Sequence, residues 1–308
     1  MPAFVSHVLF GEMVCQCLPE EPRLLAQAHP AAFYWGLQGP DLLFFRDAVR
    51  GKSPLPAIGG RMHREKTAQL LETMAKYIRL RKKQAKGDDE LLEAYFMGFL
   101  CHYVLDSCAH PYIYYLQERR KLRTEKKAWG GLHNQIESQI DSALYRRIKG
   151  GEVSGYRIPK AYRDRLTELS VSRLYRQVLW HVYGIQVDSF QVAKAFDDCH
   201  RLMGLLVRGR LLPAVEAGER LLLGKENAFS AHIRPLQEPG DVLNLDHGLW
   251  APLNDPDHGK NQSFPELMEE ALELAVEGIC AWGQGIASGV LPDWRGCENF
   301  DNGCPQEA

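Results

Sequence analysis

Between Gly98 and Tyr112 the chain reads Gly-Phe-Leu-Cys-His-Tyr-Val-Leu-Asp-Ser-Cys-Ala-His-Pro-Tyr, which sets His102, Asp106 and His110 at steps of four in a largely apolar run. On an α-helix each such step turns only about 40°, so imidazole, carboxylate and imidazole line one stripe. Phe99, Leu100, Val104 and Leu105 flank that stripe and predict that it lies out of water. A buried carboxylate and two buried imidazoles are costly unless something compensates them. A divalent metal ion would do so; a hydrogen-bonded network without metal is the other reading. Further along, Leu-His-Asn-Gln-Ile-Glu repeats the spacing, with His133 and Glu137 on one helical face.

Periodicity makes most of the rest helical. Helices are expected over 3–18, 22–37 (bent or broken at Pro30), 62–85 and 88–117, with Pro111 marking a kink or stop. Others are expected over 131–149, 159–184, 188–209, 212–224 and 264–288. Gly39-Pro40-Asp41 reads as a turn and 51–60 as a Pro/Gly-rich loop. The basic stretch Arg119–Lys127 reads as a solvated connector, and 226–262 as one long ordered loop. Alternating β-branched runs are nearly absent, so the class is all-α: a single multi-helix domain over 1–308. Its metal-site half would be 1–150 and its packing and substrate-loop half 151–308.

Composition narrows the partners. A net charge of −2 argues against a broad footprint for duplex nucleic acid, and no stable nucleic-acid partner is expected. No apolar run reaches the ~18 residues that span a bilayer, and no basic leader opens the sequence. The expected location is therefore cytoplasmic, with the eight cysteines mostly reduced. Oligomeric state is not readable.

Further candidate donors are His7, Asp41 and His63. Taken alone, His7 reads as a core histidine, Asp41 as a turn residue and His63 as surface decoration. Taken together, they extend an imidazole and carboxylate set of the kind that suits zinc. Asp141, four beyond Glu137, reads either as an acceptor supporting an imidazole or as an exposed charge.

In this order, His7, Asp41, His63, His102-x-x-x-Asp106, His110 and His133-x-x-x-Glu137, the chain resembles the zinc-dependent phospholipase C family, whose all-helical fold is shared with fungal single-strand-specific zinc nucleases. The resemblance implies two or three zinc ions. Asp41, His63, His102 and Asp106 would hold one, and His110, His133 and Glu137 a second. A third would share Asp106 with His7 and an N-terminal amine, here that of Pro2 once Met1 is trimmed. His110 follows Asp106 by four residues where the family spacing is six. Leu42 stands where the family has a tyrosine that walls a choline cage, so a quaternary ammonium loses one cation–π partner.

The implied activity is hydrolysis of a phosphodiester, in a phospholipid or a small molecule, by metal-activated water. Asp41 either ligates metal or takes the proton of the attacking water. A single-strand nuclease and a non-catalytic metal-binding helical protein are the alternatives. The loop 226–262 is expected to cover the cleft, with Trp250 as an apolar wall against substrate; a strap packing Trp250 into the core is the other reading.

Overall fold

The computed structural model describes residues 3–48, 51–238, 240–292 and 299–301. The fold is all-α. The chain runs through α1 (Phe4–Cys17), α2 (Glu20–Ala28), α3 (Pro30–Gly36), α4 (Leu55–Arg64), α5 (Thr67–Lys83), α6 (Asp89–Lys121) and α7 (Leu132–Lys149). It continues through α8 (Arg165–Tyr183), α9 (Ser189–Leu206), α10 (Leu212–Gly218) and α11 (Phe264–Ser288). Among the described residues the only β pairing is an isolated bridge between Trp250 and Lys260.

Helix α6 organises the packing. Its 33 residues span ~50 Å, and from Leu91 to Ile113 nearly every side chain is buried, as befits a central helix, and most are apolar apart from the stripe of His102, Asp106 and His110. It contacts α1, α2, α3, α5, α7, α8 and α11. Buried hydrophobic side chains form one continuous cluster from Phe4 to Phe300. Pro111 does not stop the helix. Its missing N–H removes one backbone bond, but the turns on either side stay helical, so His110 remains in register with Asp106.

Helices α3 and α6 approach one another closely. A Cβ on Gly36 would meet the Tyr95 carbonyl oxygen at 2.1 Å, and one on Gly98 would meet that of Phe33 at 2.2 Å. Two glycines thus let the backbones touch, and the 3₁₀ turn Gly39–Phe45 that follows α3 is laid against His102. Gly39 has φ of 49°, and a Cβ there would lie 2.4 Å from the His102 ring. Only glycine fits both the backbone and the ring. That turn carries Asp41.

Several boundaries differ from the sequence reading. Pro30 breaks rather than bends its segment, because it opens α3 as an N-terminal helical residue. Residues 55–60, read as loop, are the first turns of α4. The helix expected over 62–85 is two helices, parted at Lys66 in the left-handed conformation with φ of 59°. His63 therefore sits in the last turn of α4 and not at the start of a helix. The basic run is helical as far as Lys121. Elsewhere local signals hold: Asp164 caps α8 through the Leu166 and Thr167 amides, and Ser263 with Glu266 forms a capping box on α11. Cys15, Cys17, Cys101, Cys108, Cys199 and Cys280 are free thiols.

Candidate metal centre

Asp106 is the hub of a buried polar cluster. Its Oδ2 lies 3.1 Å from His102 Nε2 and 3.8 Å from His63 Nε2. Its Oδ1 lies 3.2 Å from His7 Nε2 and 3.9 Å from His110 Nε2. One carboxylate thus faces four imidazoles delivered by α1, α4 and α6. Asp41 stands on the far side of two of them, 3.0 Å from His63 Nε2 and 3.9 Å from His102 Nε2. Glu137 on α7 completes the line, 3.6 Å from His110 Nε2 and 3.3 Å from His133 Nε2.

The donors fall into three groups, each with ligand atoms within 4.8 Å of one another: His7, His102 and Asp106; Asp41, His63 and His102; His110, His133 and Glu137. All eight residues that the sequence nominated are brought together. Except for His133, which is partly open, they are buried.

Backbone carbonyls aim three of the rings. His63 Nδ1 donates to Gly59 O at 2.7 Å, His102 Nδ1 to Leu37 O at 3.2 Å, and His110 Nδ1 to Phe300 O. With Nδ1 occupied, Nε2 is left as the free lone-pair donor, which is how proteins fix a ligating tautomer. His102 Nε2 is buried with no hydrogen-bond partner, despite the nearby carboxylate. An unpartnered imidazole nitrogen aimed at two carboxylates fits a cation in the gap. The donor chemistry, imidazole with carboxylate, fits zinc.

A cleft of about 340 Å³ opens onto this cluster, bordered by Phe44, Arg64, Tyr114, Asn134 and Asp301 beside the donor side chains. A family model described as zinc dependent phospholipase C matches residues 6–200. The chain belongs to the zinc-dependent phospholipase C family. No curated protein and no solved structure matches the chain. The family is a family of zinc-dependent hydrolases, and the matched span contains every donor from His7 to Glu137. No helix among the described residues is long and apolar enough to cross a membrane.

Asp141 neither supports an imidazole nor lies exposed. It is fully buried, pairs with fully buried Arg234 at 2.6 Å, and accepts from the Ser6 amide at 2.7 Å and the Ser6 hydroxyl at 2.6 Å. The pair pins the start of α1 to α7, and Arg234 also lies over the Phe4 ring at 3.7 Å. It positions His7 through backbone. Asp141→Ala would strand the Arg234 guanidinium, so a loss of about 3–5 kcal/mol in unfolding free energy is expected by denaturant titration.

Trp250 does not wall the cleft. It is buried against Tyr112, ring centroids 5.2 Å apart, and its indole N–H donates to Gln262 O at 3.0 Å. Tyr112 is two residues from His110, or about 200° around α6, so the loop that packs on it is turned away from the stripe of His102, Asp106 and His110. The strap reading is the one the structure shows. The proposed Pro2 amine lies outside the described residues.

Sequence reasoning also missed residues. Phe44 stacks on His63 with centroids 5.5 Å apart, and Tyr114 lines the mouth. Tyr114 was findable, because it is one further step of four from His110. Phe300 and Asp301 were not. Phe300 is fully buried among Phe99, His63, His102 and Tyr103, and its amide donates to His63 O at 3.0 Å. Tyr114 donates its hydroxyl to Asp301.

Burial lowers imidazole pKa values and raises those of carboxyls, and here neighbouring charges oppose it. Against burial, Asp106 raises His7, Asp41 raises His63, and Asp106 with Glu137 pushes His110 up to about 10. His102 is the exception: burial wins and its pKa falls. Despite burial, the imidazoles hold Asp106 and Glu137 well below the usual carboxyl range.

The raised histidines stabilise the metal-free fold below their unfolded value near ~6.5, and lose that contribution as pH climbs toward the folded values. The depressed carboxyls contribute above ~4 and fail on acidification. Metal needs neutral imidazoles, so it competes with protons. The gain in melting temperature from zinc, measured against chelated protein, is therefore expected to be small near pH 5.5 and to grow toward pH 8.5. A flat or inverted profile would contradict this account of the cluster.

Proposed function

We propose that the protein hydrolyses a phosphodiester, in a phospholipid or a related small molecule, at a zinc site of two or three ions. The observation that carries the reading is Asp106, one carboxylate placed between donor groups from three helices at the floor of a cleft. A short carboxylate with both oxygens engaged suits adjacent cations. Asp41, His63, His102 and Asp106 would hold one ion and His110, His133 and Glu137 another, with His7 and Asp106 available to a third. Zinc would supply Lewis-acid neutralisation of the phosphoryl oxygens and would acidify water toward neutral pH.

The chain's own groups do the rest. Asp41, which lines the cleft 3.0 Å from His63, would either accept a proton from water entering from solvent or serve as a ligand. Phe44 and Tyr114 give the mouth two aromatic walls, and Arg64 and Asn134 give it polar contacts for the phosphate or its head group. The deep end is closed to water by Phe300, Phe99 and Tyr103, which keeps the electrostatic contacts strong.

The test is elemental analysis of purified protein beside hydrolysis of a water-soluble chromogenic phosphodiester, phospholipid and single-stranded DNA, each with and without chelator. Chelator-sensitive turnover of the first two, with at least one zinc per chain, is expected. Zinc without turnover of any substrate would leave a non-catalytic metal protein, and turnover of DNA alone would make it a nuclease.

A further inference from the structure

One surface is not explained by the metal centre. Leu221, Leu222 and Leu223 are 85%, 80% and 50% exposed, three consecutive large apolar side chains in water. They tip a π-helical turn, Glu219–Leu223, closed by left-handed Gly224. The base of that turn is fixed. Glu219 is buried, and its carboxylate accepts from the Phe229 amide, the Ser230 amide at 2.5 Å and the Ser230 hydroxyl at 2.7 Å. A rigid base holding an apolar tip outward is not a frayed loop.

Beside it lies the basic run. Residues 119–127 hold six basic side chains against one acidic, Glu125, in a chain of net charge −2. Arg120 turns inward to Gln139, Lys121 pairs with Glu118 and Lys127 with Glu125 and Glu226, so Arg119, Arg123 and Lys126 carry the positive charge of this surface. Leu122 within it is 88% exposed, and Trp129 beyond it is 37% exposed. The two segments are clasped: Lys127 pairs with Glu226 at 3.2 Å, and Asn227 bonds Ala128 O at 3.3 Å and Gln135 at 3.2 Å. Trp129 is in the 3₁₀ turn Lys126–Gly131, four residues before His133, ~8 Å at the rise of such a turn. The basic segment therefore leads directly into the first turn of α7, whose His133 and Asn134 line the cleft.

We propose that this leucine turn and basic run dock the protein on an anionic lipid bilayer and seat the cleft at the head-group layer. The proposal rests on the reading of the site as a lipid phosphodiesterase. Exposed leucines and an indole gain by entering the interfacial region, and lysine and arginine beside them are drawn to anionic head groups. Soluble proteins seldom leave such a run in water without a partner. A second copy of the chain fits less well, because a twofold contact would set the basic run against itself. A nucleic-acid strand fits less well too, because leucine offers no π-face for a base.

The test uses the full-length, zinc-loaded protein and vesicles of equal parts phosphatidylcholine and phosphatidylserine, beside vesicles of phosphatidylcholine alone. Wild type is expected to sediment with the mixed vesicles and to be released by salt. Leu221→Ser with Leu222→Ser, and separately Arg123→Glu with Lys126→Glu, should each weaken sedimentation by about tenfold or more. Both should keep the wild-type melting temperature and the wild-type rate on a soluble chromogenic phosphodiester. Vesicle binding unchanged in both variants, or absent in wild type, overturns the proposal. So does a wild-type dimer that the leucine variant splits, or single-stranded DNA binding lost in the same variants. Wild type that binds vesicles yet hydrolyses neither soluble nor lipid substrate would refute the hydrolase reading while the docking surface stands.

Discussion

Asp106→Asn is expected to lose bound zinc and at least ~10³-fold in hydrolysis, the largest effect of any single substitution in the chain. The volume at the site is unchanged, so packing of α6 is preserved and the loss reports charge. Asp106 faces His7, His63, His102 and His110 at 3.1–3.9 Å. An amide there offers one weak acceptor in place of two anionic oxygens, and its NH₂ points a donor at an imidazole or at a cation. Zinc per chain by elemental analysis and turnover of the chromogenic phosphodiester are the two readouts. A variant that kept full zinc and activity within a fewfold of wild type would remove Asp106 from the centre of the site. His102→Ala is the companion control, since it removes a donor shared between two of the groups.

The second large effect is expected at Phe300→Ala. Its ring fills the space between Phe99, Tyr103, His63 and His102, and truncation of a fully buried phenylalanine costs about 3–5 kcal/mol. The backbone of the same residue receives the His110 Nδ1–H and donates to His63 O. Loosening it should weaken the aim of rings in two donor groups, with ~10–100-fold lower zinc affinity. Phe300→Leu separates the two consequences. It refills much of the volume, so stability and zinc affinity should both recover in large part. Competition with a chromogenic chelator and thermal unfolding check this. Zinc affinity equal to wild type in a destabilised Phe300→Ala protein would show that the segment packs without positioning the rings.

His102, Asp106 and His110 were legible because helical geometry fixes the relative placement of residues four apart, and because α6 continues through Pro111 rather than stopping there, the same stripe extends to Tyr114. His133 and Glu137 were legible for the same reason. His7, Asp41 and His63 were legible only as an ordered set, since each alone has an ordinary reading. Helix boundaries were harder. A left-handed residue such as Lys66 has no distinctive side-chain signature, so the joint between α4 and α5 left no trace in the periodicity. Trp250 was misplaced because a loop rich in glycine, proline and asparagine does not encode which side of a helix it will cross.

What the sequence by itself determined, then, was the helical class, the stripe on α6 and the chemical identity of the donors, because these follow from local periodicity and side-chain chemistry. Tertiary structure alone decided that α3 could press onto α6 at Gly36 and Gly98 and so deliver Asp41 to His102. It alone brought Phe300 back across the chain to His63 and His110, and turned Asp141 into the anchor of α1 through Arg234. These contacts join residues far apart in the chain. Their free energy comes from burying surfaces that meet only after folding, and no local pattern records it.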